Sequence, residues 1–317
     1  MSRIPIVMSF DENYAMPACV TAYSALRSKA ENTQYAFYFL VRSCMPFEVV
    51  EKFDKLVEQY HDTKIEFVII GDRLDTAAIN DYYPREAYFR LLIPELLPML
   101  DKCLYLDVDV MVCTDLASLW SIDIGNNIIA GVKEELLDKK RYKELELPSS
   151  DQYINSGVMI INLKIIRDEN LTPKFLELIT KGYRYVDQDI LNIVCYDRIL
   201  FLPLKYNMFF SYSMAKNKIE KISLLDKVED VSKKPVIIHY LDKKKPWNTS
   251  DDRVLLFVLW YRVALKSPYH YDHSMYTLNK RRNKTIIKTW EYRSTIEYKI
   301  GQIITFLPKL LKKLIKK

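Results

Sequence analysis

Glycine is scarce in this chain, with 6 among 317 residues. None of them falls in the turn after the first apolar run, which reads Asp11-Glu12-Asn13. A Gly-rich phosphate loop needs backbone free of Cβ at that place. Nucleotide-binding classes built on such a loop, sugar-phosphate nucleotidyltransferases among them, are therefore disfavoured. Cysteine is equally thin: Cys19, Cys44, Cys103, Cys113 and Cys195 are scattered and form no Cys-x-x-Cys pair. That excludes a zinc ribbon or a dithiol redox centre and suits reduced, buried thiols. No run approaches the roughly 18 uninterrupted apolar residues of a membrane-spanning helix. Residues 1–14 lack the long apolar region and small-residue cleavage site of a signal peptide. Export is not expected, and a cytoplasmic chain is. No repeat and no Gly/Ser linker divides the sequence.

The composition is that of a globular α/β protein, 49% hydrophobic and 28% charged. The net charge is +6, but it is unevenly spread. Residues 280–317 carry 12 Lys/Arg and 2 Asp/Glu, a local balance of +10; the preceding 279 residues carry 35 and 39, a balance of −4. A mildly acidic body disfavours nucleic acid as a partner, and the basic character belongs to the tail.

Apolar runs at 4–10, 35–41, 64–70, 103–106, 128–132, 158–162 and 235–240 read as strands. Helices are expected over 16–29, 46–60, 84–97, from 173, and over 188–195. This alternation predicts a mixed, mostly parallel sheet with helices on both faces. Ligands of such sheets bind beyond the C-terminal strand ends.

Polar residues collect at those ends. Asp107-Val108-Asp109 follows the apolar run Cys103-Leu104-Tyr105-Leu106. In an extended segment alternate residues share a face, so both carboxylates would aim at one spot. Two carboxylates so placed repel unless they share a cation or a proton; a solvated acidic turn is the other reading. His239, at the end of Val236-Ile237-Ile238, is a candidate third ligand that would favour Mn²⁺ over Mg²⁺. Lys243-Lys244-Lys245, just beyond it, offers either charge to neutralise a diphosphate or a solvated basic loop. Asp187-Gln188-Asp189 offers either a helix N-cap or groups for sugar hydroxyls. Asn155-Ser156-Gly157 reads as a tight turn.

Together these residues resemble the retaining glycosyltransferases of family 8, the family of bacterial lipooligosaccharide galactosyltransferases and glycogenin. The resemblance runs through Asp11-Glu12-Asn13-Tyr14, Tyr88-Phe89-Arg90-Leu91 and Tyr105-Leu106-Asp107-Val108-Asp109. It continues through Tyr153-Ile154-Asn155-Ser156-Gly157-Val158, Asp187 to Asn192, His239-Tyr240 and Lys245-Pro246-Trp247. It implies a nucleotide-sugar (GT-A type) fold with one Rossmann-like domain over residues 1–265. It also implies a UDP-sugar donor, Mn²⁺ (or Mg²⁺) as cofactor, a glycan or lipid-linked acceptor, and transfer of a hexose, galactose or glucose, with retention.

By the same resemblance Asp107, Asp109 and His239 are the metal ligands. Asp11, Asn13 and Tyr14 meet the uridine. Arg90, Asn155 and Asp187 lie at the donor sugar, Lys245 at the diphosphate, and Gln188 with Asp187 at the catalytic face. A non-catalytic sugar-nucleotide or membrane-binding protein of the same fold is the alternative. Two departures stand out. Asp242 replaces a glycine common three residues after the metal histidine, and Glu134 stands near the place of an aspartate common in the galactosyltransferases.

Residues 266–317 form a basic extension. From Ser294 its apolar residues recur at spacings of three, four and one, which predicts an amphipathic helix with lysines off the stripe and a kink at Pro308. Such a helix suits an anionic membrane surface, so a peripheral position on the cytoplasmic face is expected.

Overall fold

The structure, a computed structural model, describes residues 3–75, 77, 83–134, 139–148, 152–211, 235–249 and 255–270. The tail helix expected from Ser294 lies outside the described residues. No helix among the described residues is long and apolar enough to cross a membrane.

The strands are β1 (Ile4–Ser9), β2 (Tyr35–Val41), β3 (Lys64–Ile69), β4 (Lys102–Leu106), β5 (Val110–Val112), β6 (Ile129–Lys133), β7 (Ile154–Asn162), β8 (Ile199–Leu202), β9 (Met208–Ser211) and β10 (Ile237–Leu241). Seven form one sheet in the order β3-β2-β1-β4-β7-β6-β8, and a small sheet runs β5-β10-β9. In the large sheet β3, β2, β1 and β4 are mutually parallel, as are β6 and β8; β7 runs against β4 and β6. The expected mixed, mostly parallel sheet is what forms.

Helices α1 (Ala15–Ser28) and α2 (Phe47–Gln59) make the two crossovers that parallel β1, β2 and β3 require. Every residue of β1 and β2 is buried, whereas β3, at the sheet edge, is half-covered. Continuous apolar sequence in the inner strands is the consequence of cover on both faces. Phe10, Phe39, Phe53 and Phe67 interlock between the sheet and α2. Burial of each such ring contributes roughly 1.5–3 kcal/mol.

Four expectations are corrected. Residues 84–97 form a 3-10 stretch, Arg85–Leu92, that passes into one α turn, α3 (Ile93–Leu96); Pro94 has no N–H to continue the 3-10 ladder, so that ladder ends just before it. Asn155-Ser156-Gly157 is not a turn but part of β7, paired with its neighbours in the sheet. Asp107-Val108-Asp109 is not extended; it is the turn by which the chain leaves β4 for β5 in the other sheet. His239 does not end a strand but sits inside β10.

Several elements carried no clear sequence signal. They are β5, β8, β9, α4 (Ala117–Trp120), α5 (Lys139–Glu144), α6 (Leu163–Asp168) and α9 (Leu255–Ala264). Between α6 and α9 the chain forms α7 (Thr172–Ile179) and α8 (Val186–Val194).

Candidate active site

The site gathers where the two sheets meet. β4 ends at Leu106, and the next three residues turn across to β5. β10 then pairs antiparallel with β5, setting His239 opposite Val110. The Tyr240 N–H donates to the Asp109 carbonyl at 3.0 Å. Thr21, from α1, holds the same turn through the carbonyls of Val108 and Val110 at 2.8 and 2.7 Å. The carboxylates thus converge because a turn is clamped between two sheets, and strand alternation plays no part.

Asp107, Asp109 and His239 present one ligand atom each, all within 4.8 Å of one another. His239 Nε2 lies 3.1 Å from Asp109 Oδ1 and 4.0 Å from Asp107 Oδ2. Three further observations fit a divalent cation. Asp109 Oδ1 is buried and receives no hydrogen bond, an expensive condition unless a cation or proton meets it. Gly157 packs beneath the group, and a Cβ there would stand 2.7 Å from Asp107 Oδ2 and press on the His239 ring. The donor set, two carboxylate oxygens and an imidazole nitrogen, suits a first-row divalent ion.

Positive charge flanks the acids on two sides. Lys245 Nζ contacts Asp109 Oδ2 at 2.7 Å and the Tyr240 carbonyl at 2.5 Å. Burial pushes the Asp109 carboxyl up, but the Lys245 ammonium, joined by the His239 ring whenever that ring is protonated, outweighs it and holds the group far below the usual carboxylate range. Arg90 Nη2 meets Asp107 Oδ1 at 2.8 Å, and its Nε lies 3.1 Å from Asp187 Oδ2. Arg90 Nη1 donates to the Ser156 carbonyl at 2.8 Å, and the guanidinium stacks 4.1 Å from the centre of the Tyr105 ring. The buried Arg90 is thus the tie between β4, β7 and α8.

Asp187 does not cap α8; the cap position is Tyr185, without a side-chain bond. Its carboxyl is buried, accepts from Ser156 Oγ at 3.0 Å, and is raised to about 6. Burial is the main cause; Arg90 pulls the value down and Asp107 pushes it up. Gln188 is half-buried beside it. Its Oε1 accepts from the Ser156 N–H at 3.0 Å, and its Nε2 donates to the Tyr153 hydroxyl at 3.2 Å. Tyr153 donates in turn to Asp189 Oδ1 at 2.6 Å, and Asp189 is also paired with Arg141. Val186, just before this pair of residues, stands at φ 31. A β-branched side chain rarely adopts that backbone, so the surrounding contacts must hold it.

Asp11, two residues past β1, engages its own turn. Its Oδ1 accepts from the Tyr14 N–H at 3.1 Å and its Oδ2 from Asn13 Nδ2 at 3.0 Å. Tyr14 meets Trp247 edge-on at 6.4 Å, and Trp247 rests on the buried Trp260 of α9. That contact joins the first turn of the chain to the Lys245 loop. Asp242, where a glycine was expected, adopts the left-handed conformation a glycine would favour, φ 74.

Asn155 points inward. Its Oδ1 accepts from the Gly157 N–H at 3.0 Å and from Asn207 Nδ2 at 2.9 Å, and its Nδ2 donates to Glu134 Oε2 at 3.1 Å. The structure therefore brings Asp107, Asp109, His239, Lys245, Arg90, Asp187 and Gln188 into one continuous network; Tyr14 approaches it through Trp247 of the Lys245 loop, and Asp11 and Asn13 bond within their own turn. Sequence reasoning missed Asn207, which contacts His239 Nδ1 at 3.1 Å, and Tyr153 as the support of Gln188. Asn207 follows a 3-10 turn at Leu204–Tyr206 and carries no motif.

A sequence model described as "Glycosyl transferase family 8" matches residues 5–251. The chain is 31% identical over 229 residues to a protein named lipopolysaccharide 1,2-glucosyltransferase from Escherichia coli (strain K12), covering 70% of this chain and 66% of that one. It is 27% identical over 257 residues to lipopolysaccharide 1,3-galactosyltransferase from Salmonella typhimurium, covering 78% and 74%. Among solved structures, the apo WbbM bifunctional glycosyltransferase superposes with a TM-score of 0.74 at 25% identity, over 87% of this chain and 51% of that one. The galactosyltransferase LgtC, solved with donor and acceptor sugar analogs, gives 0.67 at 24% identity, over 82% and 95%, which establishes the shared GT-A fold.

Proposed function

The chain belongs to glycosyl transferase family 8 and is a glycosyltransferase, and from that premise we propose that it moves a hexose, glucose or galactose, from a UDP-sugar onto a glycan or glycolipid hydroxyl in lipopolysaccharide-type synthesis. The observation that carries the proposal is the convergence of Asp107, Asp109 and His239, with Asp109 Oδ1 buried and unmet and Lys245 alongside. These three residues would hold Mn²⁺, or Mg²⁺ in its place. When bound, such an ion supplies Lewis-acid stabilisation of the charge that develops on the departing diphosphate. Lys245 adds a fixed positive charge to the same leaving group. Asp11, Asn13 and Tyr14 meet the uridine, and Arg90 and Asp187 orient the donor hexose.

The bond that breaks joins the anomeric carbon to the β-phosphate oxygen; the bond that forms joins that carbon to the acceptor oxygen. The acceptor's proton leaves with UDP. Gln188 Oε1 already accepts from a backbone N–H, which supports a role beneath the anomeric carbon in stabilising positive charge. It argues for attack by the acceptor from the leaving-group face. The names of the sequence relatives support the hexose and the acceptor class.

The deciding experiment is a panel of UDP-hexoses with Mn²⁺, read as UDP release and, for the accepted donor, as the NMR anomeric signature of the product. One donor with a retained α-linkage is expected. Asp109→Asn should lower turnover by about two to three orders of magnitude, as for other removals of preorganised charge. Full turnover in excess chelator, or a β-linked product from an α-donor, would overturn the assignment.

A further inference from the structure

Four buried side chains stand in file from the end of β6 to the candidate metal centre: Glu134, Asn155, Asn207 and His239. Side-chain amides can sit either way round, so something must set the direction of this file. Two contacts do. A carboxylate only accepts, so Glu134 takes the NH₂ of Asn155. A backbone N–H only donates, so Gly157 takes the carbonyl oxygen of Asn155. Both turn Asn155 the same way, and its oxygen then requires the NH₂ of Asn207. Asn207 is left to present its own oxygen to His239 Nδ1. An oxygen facing that nitrogen requires the proton to be on Nδ1. In the neutral ring Nε2 is then left with its lone pair, 3.1 Å from Asp109 Oδ1, which is itself a lone-pair atom without a hydrogen bond.

We infer that Asn207 is a positioning residue: backed by Glu134 and Asn155, it holds His239 in the Nδ1–H tautomer that leaves Nε2 ready to ligate a divalent cation. Without it the proton has a better home on Nε2, where the Asp109 carboxylate accepts it, and the ligand lone pair is lost. Orientation of a ligating histidine through its other ring nitrogen is a general device; here the polarity is set two residues further back. The last step rests on the metal-dependent reading above, whereas the tautomer is a property of the chain alone.

The test has two arms. Long-range ¹H–¹⁵N spectra of the full-length, metal-free protein are recorded where imidazole is neutral, with His239 assigned through His239→Gln. Wild type should show Nδ1–H, and Asn207→Leu should move the proton to Nε2. In the second arm, free Mn²⁺ is followed by its paramagnetic resonance signal in the presence of UDP. Asn207→Leu should weaken Mn²⁺ binding by about 10–100-fold, the usual effect of losing a partner behind a ligand. Asn207→Asp keeps an oxygen on Nδ1–H and should restore the affinity, even where stability falls because its carboxylate faces the Asn155 oxygen. An Nε2–H signature in wild type, or Mn²⁺ binding by Asn207→Leu as tight as wild type, would overturn the inference. Nδ1–H in a wild type that binds no Mn²⁺ would support the positioning of the proton and sink the metal reading instead.

Discussion

Asp187 shows at the residue scale what the site costs. Its folded-state pKa of about 6 lies above the ordinary aspartate value. The folded protein therefore binds more protons than the unfolded chain between those two values. The stability this carboxyl contributes is complete below the unfolded pKa and is lost as pH rises through about 6. Between the ordinary aspartate value and about 6 the loss is on the order of 3 kcal/mol. Asp187→Asn should accordingly raise the denaturant midpoint at pH 8, with the gain shrinking as the pH is lowered to 5, while turnover falls. A variant less stable than wild type at pH 8 would contradict the burial argument. Lys245 is a second case. Its removal should weaken UDP and the UDP-sugar alike, by about 1.5–3 kcal/mol for a charge-assisted phosphate contact. Unchanged UDP affinity by calorimetry would return Lys245 to a purely intramolecular role, as partner of Asp109 and the Tyr240 carbonyl.

Among the elements, β7 does the most to build the site. Its first residues supply Asn155, Ser156 and Gly157, each bonded to a different neighbour: Glu134 on β6's exit, Arg90 in the 3-10 stretch, and the backbone of Asp107. Gly157 has a specific reason to lack a side chain. In Gly157→Ala the added methyl would meet Asp107 Oδ2 and the His239 ring, and both are rigidly held. The expected result is native far-ultraviolet circular dichroism with lost Mn²⁺ affinity and lost turnover. Wild-type Mn²⁺ binding by this variant would show that the metal lies elsewhere. Asp242 belongs to the same scale. Its φ of 74 shows the loop after β10 taking a glycine-like path with an aspartate, a conformation that Asp tolerates better than most residues. The aspartate thus keeps a left-handed backbone at this position and adds a negative charge to the loop.

At the scale of the whole molecule, two charge regimes are joined in one chain. The first 279 residues are mildly acidic and residues 280–317 carry +10. The proposal of a cytoplasmic, peripheral membrane enzyme rests on that contrast and on the helical spacing of Ile296, Ile300, Ile303, Leu307, Leu310 and Leu314. Each Lys or Arg near an anionic leaflet contributes about 1 kcal/mol. Liposome co-sedimentation should show binding to anionic vesicles at low salt, reduced at high salt. Truncation before Ser294 should abolish binding while UDP-sugar hydrolysis survives. Indifference of the full chain to anionic vesicles at low salt would make the tail a structural appendage.

The sequence by itself determined the sheet's inner strands, because burial on both faces demands unbroken apolar runs such as Tyr35–Val41. It also determined the family, because the short motifs from Asp11-Glu12-Asn13-Tyr14 to Lys245-Pro246-Trp247 stand in an order that resembles family 8, whose sequence model matches residues 5–251. Short elements escaped it: β5 and β9 span 3 and 4 residues, too few for any periodicity to show. Tertiary structure alone decided that β5 crosses to a second sheet and so folds the two aspartates onto His239. It alone placed Asn207 behind that ring, 32 residues away in sequence. The physical reason is the same in both cases. Periodicity reports which face of an element is buried, whereas a ligand set and its hydrogen-bond polarity depend on which elements meet, and that is settled only when the two sheets pack.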